Sequence, residues 1–305
     1  MKKRDFIRIL DYSNAEVLAL VNSADKLKKQ KGKIISALKN KSVAMIFQKP
    51  SNRTRVSFNV GVHELGGHSL YLGPSEISLG QRESTHDVAK TLSRYVHCIV
   101  ARVFDNKDIV ELAKHAEVPV INALCDLYHP CQALADIQTI REHFGKFKGL
   151  TLAYVGDGNN VFHSLAAACV KVGINVRFAG PKGYDPNPAI LQEIQAVAKA
   201  NKCTVELGRD AKAAVKGAHV IYSDVWVSMG QEAETKKRIK EFKGYQINAE
   251  LVKLADKNFK FMHCLPAHRG LEVTEDVIDG KHSIIFDQAE NRLHAQKAVL
   301  LFLLK

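Results

Sequence analysis

The chain has 305 residues, of which 46% are hydrophobic, so it is long enough to bury the cores of two domains. No apolar run approaches a membrane span, and the N-terminal MKKRDFIRIL lacks the apolar core of a signal peptide. We therefore expect a cytoplasmic protein with no membrane partner. The net charge of +12 permits nucleic-acid binding, but the lysines are spread out and not interleaved with aromatic residues. We expect no nucleic-acid partner, and a basic surface that steers small anionic substrates.

Metal binding is not predicted either. The six cysteines contain no C-x-x-C pair, which argues against a zinc ribbon and a disulfide framework, and a reducing cytoplasm suits free thiols. In HELGGH (63–68) the two histidines are five positions apart, with two glycines between them, whereas a zincin places its histidines four apart on one helical face. These glycines are more typical of a helix end.

Short apolar runs alternate with helical patterns along the whole chain. The runs do not alternate polar with apolar residues, which predicts parallel strands covered on both faces by helices, an α/β fold with two doubly wound sheets. The predicted strands are 43–47, 69–72, 97–101, 118–122, 151–155, 174–179, 203–207, 219–223, 260–263 and 283–286. The predicted helices include 54–65, 84–94, 107–115, 131–143, 160–172, 187–200 and 288–304. The glycine-flanked stretch 145–149 is a candidate domain junction.

The unusual polar residues follow the predicted strands. In parallel sheets ligands bind beyond the carboxyl ends of strands, at the loops that lead into helices. These loops hold residues 51–55, Arg102 and 129–132 in the first half, and 157–160, 224–230 and 263–266 in the second. We therefore expect two binding sites that face one cleft.

The segment SNRTR (51–55) places two arginines at a helix start, where acidic residues normally suit the helix dipole. Backbone N–H groups, two hydroxyls, Arg53 and Arg55 would bind a phosphate dianion there. Taken alone, the segment fits a helix cap with surface arginines equally well. A Walker A loop is excluded because the chain has no G-K-[ST] here.

GDGNNV (156–161) follows a predicted strand and is similar to a dinucleotide fingerprint. However, Val161 occupies the third glycine position, and the next strand ends without an acidic residue for a ribose. A nicotinamide site is therefore not indicated. Asn159 and Asn160 could instead hydrogen-bond a carboxylate at the helix start.

Three further motifs carry residues suited to catalysis. DLYHPCQALAD (126–136) puts His129 and Gln132 at a helix start, where a structural and a functional role are equally open. DVWVSMGQE (224–232) puts Asp224 at a strand end. HCLPAHRG (263–270) puts Cys264 before a proline turn, either as a nucleophile with a nearby base or as a buried thiol whose backbone binds a ligand.

Taken together, these motifs resemble the aspartate/ornithine transcarbamylase family, and its ornithine-using members most. The family signatures are Ser-Thr-Arg-Thr-Arg, His-Pro-x-Gln, Asp-x-Trp-x-Ser-Met-Gly, His-Cys-Leu-Pro and AENR-x-H. They stand here as SNRTR, HPCQ, DVWVSMG, HCLP and AENRLH, in that order, over residues 51 to 294. Any one match could be accidental, but five in register cover nearly the whole chain.

The resemblance implies transfer of the carbamoyl group of carbamoyl phosphate to the δ-amine of ornithine, with no metal and no cofactor. It implies a carbamoyl phosphate domain (1–145), an ornithine domain (146–287) and a C-terminal helix (288–305) that packs back on the first domain, with the active site in the cleft between the domains. The implied partners are these two small-molecule substrates and further copies of the chain, as a homotrimer or a multiple of trimers.

Site residues follow from the matching positions. The resemblance implies that carbamoyl phosphate is bound by Ser51, Asn52, Arg53, Thr54, Arg102, His129, Gln132, Cys264, Leu265 and Arg292. It implies that ornithine is bound by Asn160, Asp224, Ser228 and Met229. It assigns catalysis to Arg102, His129, Asp224 and Cys264.

Two positions depart from the family pattern. Asn52 replaces the usual Thr, and an amide can still hydrogen-bond near phosphate. Ser78 stands where relatives often have Gln or His on a loop expected to reach a neighbouring subunit. Ser78 is too short to repeat that contact, for which Gln81 is a substitute candidate.

Other functions stay open beside this one. Aspartate-using members need a lysine in the 76–86 loop, which here has Arg82 but no lysine, and Asp224 would face the acceptor. Putrescine-using members lack the Ser-Met-Gly turn. A non-catalytic basic binding protein of the same fold is a further alternative, which the intact Arg53, Arg102, His129 and Cys264 oppose. The biosynthetic or degradative direction is not encoded in these motifs.

Overall fold

The computed structural model describes residues 3–80, 82–228, 230 and 232–304. The chain divides into two compact units, a first unit of Met1–Gln138 with Glu290–Lys305 and a second unit of Thr139–Ala289. The chain passes from the first unit into the second between Gln138 and Thr139, which lies before the predicted domain junction at 145–149. Gly145 has a positive φ of 70° and its N–H donates to Arg141 O, so this glycine ends a helix. Within the described residues, every helix is too short or too polar to cross a bilayer.

The first unit contains a parallel sheet. Its strands are β1 (Ser42–Phe47), β2 (His68–Leu72), β3 (Cys98–Arg102) and β4 (Val120–Leu124), in the order β2-β1-β3-β4. The inner strands β1 and β3 are buried almost throughout, as their continuous apolar sequences predict, whereas β2 lies at an edge and is partly exposed. The helices are α1 (Asn14–Lys28), α2 (Asn52–Glu64), α3 (Pro74–Ile77), α4 (Thr85–Ser93), α5 (Asn106–His115) and α6 (Pro130–Phe144), with 3-10 turns at Ile9–Asp11 and Ser36–Leu38.

The second unit contains another parallel sheet. Its strands are β5 (Thr151–Val155), β6 (Asn175–Ala179), β7 (Val205–Gly208), β8 (Val220–Ser223) and β9 (Lys260–His263), in the order β7-β6-β5-β8-β9. The helices are α7 (Asn160–Val172), α8 (Pro188–Ala200), α9 (Ala211–Val215), α10 (Thr235–Phe242), α11 (Ala249–Val252) and α12 (Glu275–Ile278), with 3-10 turns at Glu232–Glu234 and Lys243–Tyr245. The last helix, α13 (Ile285–Leu304), begins in this unit and belongs to the first unit from Glu290 onward. The parallel α/β prediction is confirmed for both units.

Strand order decides where ligands can reach each sheet. In the first unit the chain crosses from β1 to β2 on one side and to β3 on the other, and in the second unit β5 is likewise flanked by β6 and β8. A crevice opens at such a switch point, between the carboxyl ends of the two adjacent strands. Four of the six polar motifs follow these switch-point strands, β1, β3, β5 and β8, and the other two follow β4 and β9, which lie next to β3 and β8.

The predicted strand at 283–286 is wrong. Ser283 forms an isolated bridge with Phe261, and Ile284 N donates to Phe261 O at 3.0 Å, but α13 begins at the next residue. The N–H of Gln288 already donates to Ile284 O, as in a helix. A short apolar run suits a strand and the first turn of a buried helix equally well, so periodicity alone cannot separate them.

Candidate active site

The SNRTR segment forms the start of α2. Ser51 is the N-cap, and its Oγ accepts from Thr54 N at 3.3 Å, while the first turn contains no acidic residue. Thr54 is buried, and the guanidinium of Arg55 lies 3.7 Å from the centre of the Tyr71 ring, a cation–π contact. The cap and the predicted anion site therefore occupy the same turn, and the two arginines have different surroundings.

Arg292 brings together residues that lie far apart in the sequence. Its Nη1 donates to Gln132 Oε1 at 2.8 Å, and its Nη2 donates to Thr54 Oγ1 at 3.3 Å. All three side chains are buried, and they come from α13, α6 and α2. Three of the residues predicted to bind carbamoyl phosphate thus form one hydrogen-bonded group.

His129 lies among cations. It is buried at the start of α6, and burial, together with the charges of Arg292, Arg102, Lys49 and Arg53, holds the pKa of its imidazole well below the usual value. The ring is therefore neutral at neutral pH and keeps one N–H to donate.

Lys49 is one of the cations around His129, and the sequence did not indicate it as a site residue. Burial, and after it the charge of Arg102, lowers the pKa of the Lys49 ammonium. Like charges gathered around a buried neutral ring repel one another, and a bound anion would reduce that repulsion. Its place after β1, directly before Pro50, is the signal that points to it.

Asp224 is the centre of the second unit's polar cluster. Its Oδ2 accepts from Asn159 Nδ2 at 2.8 Å, and the Cys264 thiol donates to its Oδ1 at 3.0 Å. The three residues follow β5, β8 and β9, which are neighbours in the sheet, and Asp224 is buried. A buried carboxylate fixed by two donors is suited to pair with an ammonium group.

The GDGNNV loop serves the fold and Asp224. Asn159 caps α7, because its Oδ1 accepts from Val161 N and Phe162 N. Its amide Nδ2 donates to Asp224, so the carboxylate that Asn159 binds here is a side chain of the protein. A Cβ on Gly158 would lie 2.3 Å from Pro186 N, so this glycine is required for a close backbone approach. Asn160, a predicted ornithine ligand, is the first residue of α7.

The turn after β9 is held by a buried pair that the sequence reasoning missed. His263 Nδ1 accepts from Leu265 N at 2.9 Å, and its Nε2 lies 3.4 Å from Glu272 Oε1. His263 N donates to Gln288 Oε1, and both side chains of the His263–Glu272 pair are fully buried. Leu265 adopts a left-handed φ of 58° and is followed by a cis bond to Pro266. No local sequence pattern indicates the role of Glu272, because its partner His263 lies nine positions away across a turn.

Within the described residues, Asp224, His263 and Cys264 each offer one potential metal-ligand atom, and these atoms lie within 4.8 Å of one another. The Cys264 thiol already donates to the carboxylate, and His263 Nδ1 already accepts from Leu265 N. The cluster is thus internally bonded, and the absence of a required metal stays a prediction.

The DVWVSMG loop is anchored at its tryptophan. Trp226 is buried and stacks on Phe242 at 5.8 Å, and its carbonyl accepts from Arg238 Nη1 at 3.1 Å. Arg238 also pairs with the buried Asp157 at 2.7 Å. Ser228 follows in coil, and the predicted ligand Met229 lies outside the described residues.

Ser78 terminates α3. It has a left-handed φ of 40°, and its Oγ donates to Pro74 O at 3.1 Å, a bond made within its own turn. The alternative contact residue, Gln81, lies outside the described residues. The cross-subunit contact of this loop stays a prediction.

Known proteins share both units. The family description "Aspartate/ornithine carbamoyltransferase, carbamoyl-P binding domain" matches residues 4–142, and "Aspartate/ornithine carbamoyltransferase, Asp/Orn binding domain" matches residues 148–303. An ornithine carbamoyltransferase of Thermococcus kodakarensis is 53% identical over 97% of this chain and 95% of its own. An anabolic ornithine carbamoyltransferase of Pyrococcus furiosus is 52% identical over 97% of this chain and 95% of its own. The solved structure of an ornithine carbamoyltransferase from Pyrococcus furiosus superposes with a TM-score of 0.95 and 52% identity, over 98% of this chain and 96% of that one.

The chain belongs to the aspartate/ornithine carbamoyltransferase family. It is an enzyme of the carbamoyltransferase class. Within that class its function is that of an ornithine carbamoyltransferase, as the full-length likeness to proteins of that activity shows.

Proposed function

We propose that the first unit binds carbamoyl phosphate through the start of α2 and the group around His129. Arg53 and the N–H groups of the first turn hold the phosphate, whereas Thr54, Arg102 and His129 hold the carbonyl oxygen. Negative charge develops on that oxygen as the amine attacks, and preorganised donors stabilise such charge most effectively. Phosphate is a good leaving group, so positioning matters more than acid–base catalysis, and the reaction needs neither metal nor cofactor.

One observation carries this proposal. A buried imidazole is kept neutral by burial and by Arg292, Arg102, Lys49 and Arg53. Four cationic groups acting on one buried ring form a site for a compact anion, and the neutral ring adds a directed N–H. The other ligands predicted in the first unit are Ser51, the N-cap of α2, Asn52 at the start of α2, and Gln132 in the first turn of α6.

We propose that the second unit binds ornithine at Asp224. The carboxylate pairs with the α-ammonium, and Asn160, Ser228 and Met229 supply the remaining polar contacts. The Cys264 thiol, which holds Asp224 Oδ1, acts as a donor near the δ-nitrogen and not as a nucleophile.

A citrulline assay with an acceptor panel tests the proposed function. Ornithine should react fastest and lysine weakly, while putrescine and aspartate should stay near background. An extra methylene typically costs ~10–200-fold, and a missing buried polar partner costs up to ~10⁴-fold. Faster reaction with putrescine or aspartate than with ornithine would overturn the acceptor assignment. Phosphate release without citrulline would overturn the transfer itself.

We further propose that the chain forms a homotrimer or a multiple of trimers in the cytoplasm. Val56 and Val60 lie one helical turn apart on α2 with 52% and 37% of their surface exposed, and Leu70 on the edge strand β2 is 41% exposed. Apolar surface of this kind is typical of a subunit contact. Light scattering should give a mass near a multiple of three times 33.8 kDa. Val56→Glu should lower that mass, and a wild-type monomer would contradict the proposal.

A further inference from the structure

Gln296 connects Arg292 to the start of α2. Its Oε1 accepts from Arg292 Nε at 3.1 Å, and its Nε2 donates to Ser57 Oγ at 2.7 Å. Ser57 Oγ in turn donates to the carbonyl of Arg53 at 2.6 Å. Gln296 and Arg292 are both buried, one turn apart on α13. The amide thus uses its acceptor and one donor to join the guanidinium to the helix that carries Arg53.

The guanidinium has a fixed planar fork, so holding Nε determines where the two Nη groups point. In Arg292 these groups donate to Gln132 Oε1 and Thr54 Oγ1. The other end of Gln296 acts on the same site, because Ser57 binds the backbone oxygen of Arg53. Gln296 therefore contacts the Arg292 guanidinium at one end and, through Ser57, the first turn of α2 at the other.

We propose that Gln296 is a positioning residue for carbamoyl phosphate, which it does not touch. Through Arg292 Nε it orients the fork that faces Gln132 and Thr54, and through Ser57 it fixes the first turn of α2. This inference rests on the proposed carbamoyl phosphate site of the first unit. A positioning role predicts weaker binding of that substrate, with little change in turnover once the substrate is bound at saturation.

Gln296→Met tests the proposal, since methionine keeps the side-chain length and removes both hydrogen bonds. The KM for carbamoyl phosphate should rise about 10-fold, the scale of a lost hydrogen bond to a charged group, while kcat changes less than about 3-fold. Ser57→Ala removes the other end of the connection and should raise the same KM, whereas Ser57→Thr keeps the hydroxyl and should restore it. The effects of Gln296→Met and Ser57→Ala should not add in the double variant, because they break one connection.

Lys297 and Glu64 provide a matched control. They form a buried ion pair between the same two helices, but at the opposite end of α2. The double variant Lys297→Met/Glu64→Gln should change thermal stability without raising the KM for carbamoyl phosphate. If this control raises KM as much as Gln296→Met does, the effect is general loosening and the inference is wrong.

The inference and the proposed function can fail separately. Wild-type protein that shows no carbamoyl phosphate binding by calorimetry would overturn the proposed site, and the role of Gln296 with it. Normal wild-type binding, with an unchanged KM in folded Gln296→Met and Ser57→Ala, would overturn the role of Gln296 alone. Should Gln296→Met fail to fold, Ser57→Ala and Ser57→Thr decide the question from the α2 side.

Discussion

The thiol of Cys264 donates to Asp224 Oδ1 at 3.0 Å, although forty positions separate the two residues in the chain. Because β8 and β9 are adjacent and parallel, the residues that follow them lie side by side. The arrangement makes the sulfur a hydrogen-bond donor to a carboxylate. It differs from a catalytic cysteine, which needs a base that takes its proton and stabilises the thiolate.

Cys264→Ser should therefore keep most of the activity, because a hydroxyl can still donate to Asp224. Cys264→Ala should lower kcat/KM for ornithine by ~10-fold or more, since the carboxylate loses one of the donors that orient it. Steady-state citrulline assays with both variants measure this difference. A covalent role for the sulfur would instead abolish turnover in the serine variant as completely as in the alanine variant.

Arg53→Ala should lower kcat/KM for carbamoyl phosphate by at least ~10²-fold, the scale of a lost charge-stabilising donor. Arg55→Ala is the comparison variant: the sequence alone also offers Arg55 to the phosphate, but its guanidinium lies over the Tyr71 ring, so we do not propose it as a ligand. We expect its kcat/KM to stay within about 3-fold of the wild type. Near-normal turnover in folded Arg53→Ala would show that the phosphate assignment is wrong.

The pH profile of activity should reflect the attacking amine. A free alkylamine has a pKa of about 10.4, so the reactive neutral form increases with pH. Burial and the surrounding cations hold the pKa of the His129 imidazole well below the usual value, so its protonation should not oppose this rise. We expect kcat/KM for ornithine to rise from pH 6 to 9 without a histidine limb. A flat profile, with chemistry shown to be rate-limiting, would contradict this account.

Stability should fall in mild acid because of His294. Burial is the main cause that lowers the pKa of its imidazole to about 4, against an unfolded value near 6.5. Between these values the unfolded chain binds more protons, so stability is lost as pH falls from 6.5 towards 4. The loss is at most about 3.5 kcal/mol, since one pKa unit corresponds to about 1.4 kcal/mol.

His294→Gln should reduce the difference in unfolding temperature between pH 7.5 and pH 5, measured by scanning calorimetry. His68→Gln, which changes an exposed histidine at the start of β2, serves as the control and should leave that difference unchanged. An equal acid loss in wild type and His294→Gln would mean that another group is responsible.

Local pattern was sufficient to predict most strands but not the contacts that organise the site. The buried runs of β1, β3, β5 and β8 are apolar because both faces are covered, so composition alone identifies them. The prediction failed at 283–286, where a buried helix begins with the same residues that a strand would use. It also omitted α1, although the Ser13–Glu16 capping box is a local signal for that helix.

The residues that sequence reasoning missed share one property. Lys49, Glu272 and Gln296 each act on a partner that only the folded chain brings near: Arg102, His263 and Ser57, respectively. Their residue types are ordinary for the elements in which they lie. Motifs therefore predicted the groups proposed to contact substrate, whereas the groups that orient them required the structure.

Acceptor choice should reside at Asp224. Asp224→Asn keeps the shape of the side chain and can still hydrogen-bond Asn159, but it removes the negative charge that we propose binds the ornithine ammonium. We expect the KM for ornithine to rise and kcat to fall, with kcat/KM lower by ~10²-fold or more, since breaking a buried charge pair costs several kcal/mol. Asp279→Asn, an exposed carboxylate paired with Arg269 in the same unit, should leave both constants unchanged.

The decisive measurement for Asp224→Asn is carbamoyl phosphate binding by calorimetry. That affinity should stay almost intact, because the residues proposed to bind the phosphate and the carbonyl oxygen all lie in the first unit, on α2, β3 and α6. The variant should lose more activity with ornithine, which carries both an α-ammonium and an α-carboxylate, than with putrescine, because the wild type already reacts with putrescine near background. If this variant no longer binds carbamoyl phosphate, the assignment of the two substrates to separate units is wrong. The charge of Asp224, which we propose for ornithine, would then be needed to bind carbamoyl phosphate.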